Sequence, residues 1–390
     1  MQYREHRDQT LSEIGIGCYA LSGAYGRREP RYFADIARRA YELGVTLFDT
    51  ADQYGPAEEI LGRAVAPFRD EIWIATKVGV TDDGSFNLSS AHVQASCERS
   101  LQRLGTDIID LYQIHYDDRD TPIEETLDAL ETLQTDGKIR HFGVGHLSPP
   151  RLEGYLTAGD VFSALLELSA VSRSGRERTL PLCRRHNVGV IAFSVTGRGL
   201  LTGKIEAGHT FAEGDIRRID ALFQRERFAS GLRIVERLRA LGEKHGKTPA
   251  QVAISWVLAQ PGVICALTGP STLRHLEENL ASSGWSVDGD EMAAFEAYLE
   301  DEDAQLRDQM VAGVRGILQE ELDPQTAFAD LVYCLETLVE LRLMAEEDVL
   351  PLFERLWPLR ERRDSAADEK MLDLQRELSQ LWAEASGSPG

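Results

Sequence analysis

The chain has 390 residues, 43% of them hydrophobic, enough for one large core and a smaller one, since single domains stop growing near about 250–300 residues. Lys and Arg number 42 against 64 Asp and Glu, and the net charge of −22 argues against duplex DNA and anionic membranes as partners, because both demand a cationic surface. The five cysteines (Cys18, Cys97, Cys183, Cys265, Cys334) are odd in number and lack C-x-x-C spacing, so neither a disulfide framework nor a zinc site is expected and a cytoplasmic setting fits. MQYREHRDQT lacks an apolar export core, and no uncharged apolar run reaches about 18 residues, so no membrane span is expected.

Short apolar runs then alternate with helix-like stretches as far as residue 282, the pattern of βα units around a parallel sheet. The predicted strands are 13–17, 45–48, 72–76, 108–115, 139–144, 161–167, 188–193 and 263–267. Eight strands in strict alternation, with no G-x-G-x-x-G after the first, predict a closed (β/α)8 TIM barrel rather than an open doubly wound sheet. YFADIARRAYELG precedes the second strand and closes on Gly44; SSAHVQASCERSLQRLG starts at a capping Ser89 or Ser90; PIEETLDALETLQTDGK carries Pro122 in its first turn. Residues 196–230 form a long connection of the kind that belongs to an active site rather than a core, and Thr248 with Pro249 caps the helix that follows it.

The domain expectation is a barrel over residues 1–300 and an acidic helical extension over 301–390. The extension has no strand-like run, holds 21 acids against 9 bases, and carries the stripe Phe328, Leu331, Leu335, Leu338 and Leu341 at helical spacing. Pro324, Pro351 and Pro358 mark predicted starts or breaks. The apolar faces suit an oligomer contact or a partner protein.

Four polar side chains fall at the ends of neighbouring strands: Asp49 after TLF, Tyr54 five residues on, Lys77 after IWIAT and His115 after IIDLYQI. A phenol is a poor proton donor near neutrality, its ordinary pKa being about 10. A lysine beside it would lower that value, a carboxylate would anchor the lysine, and a histidine could orient a carbonyl oxygen. This arrangement suits protonating an oxygen as hydride reaches its carbon.

The segments GCYALSGAYG (17–26), FDTADQYG (48–55), ATKVG (75–79), DIIDLYQIH (107–115), GKIRHFGVG (137–145), IAFSVTGRGLLTGK (191–204) and ISWVLAQPGVICALTGPSTLRHLEENLA (254–281) resemble, in order, those of the aldo-keto reductase superfamily over about residues 10–300. The resemblance implies a carbonyl–alcohol oxidoreductase acting on a small molecule, with Tyr54 as general acid, Lys77 as its pKa partner, Asp49 as the lysine's anchor and His115 orienting the carbonyl. It also implies a nicotinamide dinucleotide, NADPH (NADP+) in preference to NADH. Phe193, Ser194, Gly197, Gly199, Leu200, Gly203 and Lys204 would meet its ring and pyrophosphate. Gly269, Ser271, Arg274, His275, Glu278 and Asn279 would meet its adenosine end.

The chain departs from the family where the nicotinamide amide is held: Gly145 and His146 replace Ser-Asn, and Leu165 aligns with a glutamine. Leucine neither donates nor accepts a hydrogen bond. These departures leave a second reading open, a nucleotide-binding regulatory or non-redox protein on the same barrel. The loops 19–30, 116–121 and 205–230, which would set specificity, carry no pattern that names a substrate.

Overall fold

Eight parallel strands close into a barrel in the order β10-β3-β4-β5-β6-β7-β8-β9. They are β3 (Ile14–Gly17), β4 (Leu47–Asp49), β5 (Trp73–Val78), β6 (Ile109–Ile114), β7 (Ile139–Gly145), β8 (Ser163–Glu167), β9 (Gly189–Phe193) and β10 (Val263–Thr268), one for each strand predicted. These are features of a computed structural model, which describes residues 1–26, 30–320, 322–323, 326–341, 343–359 and 364–386. Inward side chains such as Leu47, Ala75, Leu111, Leu165, Ile191 and Cys265 form a buried apolar cluster inside the barrel. Alternating inward and outward residues along each strand make this possible.

Two strands were not foreseen, the antiparallel pair β1 (Tyr3–His6) and β2 (Gln9–Ser12). Their charged residues mask the alternation, but distant backbone satisfies them: Arg4 donates to the carbonyls of Val263 at 2.7 Å and Leu258 at 2.8 Å. The helices of this part are α1 (Pro30–Glu42), α2 (Ala57–Val65), α3 (Ser90–Leu104), α4 (Ile123–Thr135), α5 (Pro149–Ala158) and α6 (Ser174–Arg185). They are followed by α7 (Arg225–His245), α8 (Pro249–Leu258) and α9 (Leu273–Leu280). Gly44 follows α1 at φ +91, a conformation open to glycine. Ser89 is the N-cap of α3 by position, yet its hydroxyl donates to Asn87 rather than to the helix. Pro122 precedes α4 as its N-cap instead of entering the first turn. Thr248 and Gln251 form a reciprocal capping box at α8, with Pro249 in the first turn.

The chain divides into two compact units, Met1–Thr202 with Leu238–Asp288, and Gly203–Arg237 with Gly289–Gly390. The boundary expected near residue 300 therefore lies inside one helix, α10 (Gly289–Gln319). The second unit continues with α11 (Ala327–Glu340), α12 (Glu346–Leu356) and α13 (Ser365–Ser386). Its own core gathers Val314, Phe328, Leu331, Leu335, Leu338, Leu352 and Met371, and Ala221 from the middle of the sequence joins them. Each buried leucine contributes about 1.5–3 kcal/mol. Most of the connection 196–230, read from sequence as part of an active site, thus clusters with these helices from residue 203 on: Arg225 pairs with Asp330 at 2.7 Å, and the Tyr333 hydroxyl donates to Glu226 at 3.0 Å.

Pro351 does not break α12 but lies inside it, flanked by the buried Val349 and Leu352. Packing of that apolar face outweighs a lost backbone bond and ring clash of about 3 kcal/mol. Pro358 falls in the short 3-10 turn Trp357–Leu359 that ends the helix, and Pro324 is outside the described residues. Among the described residues no helix is long and apolar enough to cross a membrane.

Candidate active site

The carboxyl ends of β4, β5 and β6 bring the predicted residues together. Asp49 is the last residue of β4, and Lys77 on β5 is in register with Gln113 on β6, two residues before His115. Spacing by two puts Gln113 and His115 on one face of the chain. Lys77 is 1% exposed, so its ammonium needs partners, and it has two: Asp49 Oδ1 at 2.5 Å and the Thr50 carbonyl at 2.7 Å. Gln113 donates Nε2 to the other Asp49 oxygen at 2.9 Å. Burial pushes the Asp49 carboxyl above the usual carboxylate range, and Lys77 and Gln113 oppose that push.

Tyr54 sits on the turn after β4, its N–H bonded to the Ala51 carbonyl at 3.1 Å. Lys77 Nζ lies 4.9 Å from the centre of the Tyr54 ring, and the His115 ring meets Tyr54 edge-on at 5.7 Å. The sequence argument expects lysine to lower the phenol. Burial and the Asp49 carboxylate instead hold Tyr54 well above the ordinary phenol value. Lys77 meanwhile donates hydrogen bonds to Asp49 and the Thr50 carbonyl. Tyr54 therefore keeps its proton through neutral pH.

Burial, followed by the charge on Lys77, holds His115 well below the usual imidazole value, so its ring is neutral. Its buried Nδ1 has no hydrogen-bond partner among the described residues. An orphaned ring nitrogen at this rim is a place a ligand oxygen or N–H can satisfy. Aromatic rings surround it: Tyr116 lies 4.8 Å from His115 and stacks on His146 at 4.4 Å, while Tyr19 meets Tyr54 at 5.0 Å.

The opposite rim is arranged differently. Gly145 ends β7 beside Leu165 on β8, and a Cβ on it would come within 3.1 Å of the Ile114 carbonyl. His146 turns at φ +48 and donates from its Nδ1–H to the His115 carbonyl, 2.9 Å away. Leu165 is 6% exposed and belongs to the apolar cluster. Phe193 ends β9, half-buried, with its ring 5.3 Å from His146.

Beyond it Ser194, Gly197, Arg198 and Gly199 all take positive φ. Such a run makes a tight, glycine-dependent loop. The N–H groups of Gly197, Gly199 and Leu200 bond to carbonyls of the loop itself, which fixes its shape. Gly203 and Lys204 open the second unit.

At α9, Thr272 caps the helix by accepting from the His275 N–H, and Ser271 Oγ lies 2.8 Å from His275 Nδ1. Arg274 is exposed in the first turn. Gly269 follows β10, and Glu278 gives its carbonyl to Gln251 at 2.9 Å, with Asn279 next in the last turn.

Sequence reasoning missed Gln113 and Tyr116. Gln113 lies inside β6 as a single amide, which by itself gives no pattern.

This barrel agrees with what the comparisons find. Residues 13–300 match the aldo/keto reductase family. The chain is 32% identical over 311 residues to the aldo-keto reductase YhdN of Bacillus subtilis, covering 77% of this chain and 94% of that protein. It is 33% identical over 282 residues to the probable aldo-keto reductase 1 of Glycine max, covering 70% and 81%. Among solved structures it resembles the glycerol dehydrogenase AKR11B4 of Gluconobacter oxydans, with 30% identity, a TM-score of 0.70, and 83% and 98% of the two chains covered. The aldo-keto reductase AKR11C1 of Bacillus halodurans in its holo form gives 27% identity, a TM-score of 0.65, and 76% and 96% coverage.

The chain belongs to the aldo/keto reductase family. It is an oxidoreductase acting between carbonyl and alcohol on small molecules, in a family that uses nicotinamide cofactors.

Proposed function

We propose that the protein is an NADPH-dependent reductase of aldehydes or ketones in which Tyr54 delivers the proton. The observation that carries this reading is the position of Lys77, anchored to buried Asp49 at 2.5 Å and lying 4.9 Å from the centre of the Tyr54 ring. Tyr54 is neutral at working pH, as a general acid must be. As negative charge builds on the carbonyl oxygen, the buried ammonium beside the ring stabilises the phenolate that remains. The neutral His115 ring offers a nitrogen to the same oxygen and fixes its direction.

The nicotinamide cofactor supplies the hydride when bound. Phe193 and His146 would face its ring, residues 194–200 its pyrophosphate, and 269–279 its adenosine. Exposed Arg274, in the first turn of α9 where the helix dipole also favours an anion, supports NADPH over NADH. Leu165 removes one amide contact, which weakens the hold on the ring by about 0.5–1.5 kcal/mol without abolishing it. A cytoplasmic setting agrees with five buried, unpaired cysteines. The stripe Phe328, Leu331, Leu335 and Leu338 is buried in the second unit's own core, so self-association or a partner protein would use other faces of residues 301–390.

The test is quenching of protein fluorescence by NADPH and NADH, followed by turnover on a panel of aldehydes, ketones and small polyols. Polyols belong there because one structural relative is a glycerol dehydrogenase. Tight NADPH binding with turnover is expected; binding without turnover on any member would count against the reductase.

A further inference from the structure

We infer that Gln113 is a positioning residue of the reduction, holding the Asp49 carboxylate in the orientation that keeps Lys77 anchored beside Tyr54. The inference rests on the proposed role of Tyr54 and extends it one residue inward.

Gln113 is fully buried on β6, on the barrel-facing side that also carries Leu111 of the apolar cluster. An apolar side chain would be the less costly occupant of such a position, since a buried amide must find hydrogen bonds. Gln113 finds one: Nε2 reaches Asp49 Oδ2 at 2.9 Å, while Oε1 has no partner among the described residues. Packing does not explain a half-satisfied amide there. The bond to Asp49 does.

The neighbouring strand makes room for it. A Cβ at Gly143 would come within 3.3 Å of Gln113 Cγ and 2.8 Å of Ser163 Oγ, so glycine leaves space for the longer side chain.

The bond completes a chain. Asp49 holds Lys77 with one oxygen and accepts Gln113 with the other, so the carboxylate cannot rotate without breaking one bond or the other. The groups facing Asp49 are Lys77 from β5, Tyr54 from the loop after β4, Cys18 from the loop after β3, and Cys265 from β10; His115 faces Lys77. Of these, Lys77 is the cation, and Gln113 is the remaining side-chain donor to the carboxylate. Without Gln113 the buried carboxylate loses a bond to its charged form, takes up a proton more readily, and releases Lys77.

The experiment compares kcat and KM for reduction across pH in the parent, Gln113→Leu, Gln113→Glu and Tyr54→Phe. NADPH binding and circular dichroism are measured on each. Gln113→Leu should lower kcat by about 10- to 100-fold, move the acid limb of the profile to higher pH, and leave NADPH binding unchanged.

Gln113→Glu should share one proton with Asp49, donate as the neutral acid near the acid end, and lose activity as pH rises, adding a limb that the parent lacks. A purely structural role would move neither limb. If Gln113→Leu does not fold, the near-isosteric Gln113→Glu decides alone. A kcat profile identical to the parent's in the folded variants overturns the inference. Tyr54→Phe separates the two readings. If it is inactive while the Gln113 variants match the parent, only the positioning role fails; if it turns over like the parent, the proton donor itself is misassigned and the inference falls with it.

Discussion

The two sides of the barrel mouth solve the same problem with opposite economies of hydrogen bonding. Around β4, β5 and β6 both Asp49 oxygens have partners, and Lys77 is bonded to Asp49 and the Thr50 carbonyl. Around β7 and β8, a glycine and a buried leucine stand side by side, and His146 uses Nδ1 at a backbone carbonyl. The side proposed to deliver the proton is fixed by paired hydrogen bonds. The side that would hold the cofactor ring relies on shape and aromatic faces. Changes on the first side should therefore show mainly in kcat and stability, and changes on the second mainly in cofactor affinity.

The largest effect expected is from Tyr54→Phe, which removes the acid and should lower reduction by about 10²–10⁴ with NADPH binding intact. Single-turnover rates and fluorescence titration would check it, and loss of binding instead would erase the proposed division between the two sides. Asp49→Asn leaves a buried ammonium without its counter-charge and should destabilise the fold by about 3–5 kcal/mol, read from urea denaturation.

The pH dependence follows from directions of shift. Tyr54 is raised, so reduction should persist as pH climbs through neutrality and fall only near that raised value, while alcohol oxidation grows in the alkaline range. His115 is depressed, so its contribution to stability is complete above the unfolded imidazole value and is lost as pH falls toward its folded one. Thermal melting from pH 7 downward should show that loss, and His115→Gln should flatten it. The smallest effect belongs to the other side: Leu165→Gln should tighten NADPH by about 0.5–1.5 kcal/mol with little change in kcat. A large change in kcat there would break the comparison.

Asp49, Lys77 and His115 were legible because each is a polar residue at or near the carboxyl end of an apolar run, where a parallel barrel does its chemistry. Tyr54 became legible through them. Gln113 was not, since a single amide inside a strand gives no period of its own and its meaning depends on Asp49, 64 positions away. The direction of the Tyr54 shift was also hidden, because sequence places lysine beside tyrosine without saying how deeply the phenol is buried or how near the Asp49 carboxylate lies. The opening hairpin escaped for the same reason. His6 makes sense only against the Phe162 carbonyl and Gly189 N–H, contacts that no local pattern announces.

The second unit draws on two separate stretches of sequence. Ala221 lies in one core with Phe328 and Leu331, and Arg227 reaches Glu340 at 2.6 Å. The match to the family ends at residue 300, in the middle of α10. The last ninety residues thus share a core with an inner stretch of the family-matched region, and cutting the chain at residue 300 would halve a helix and uncover Ile219 and Ala221.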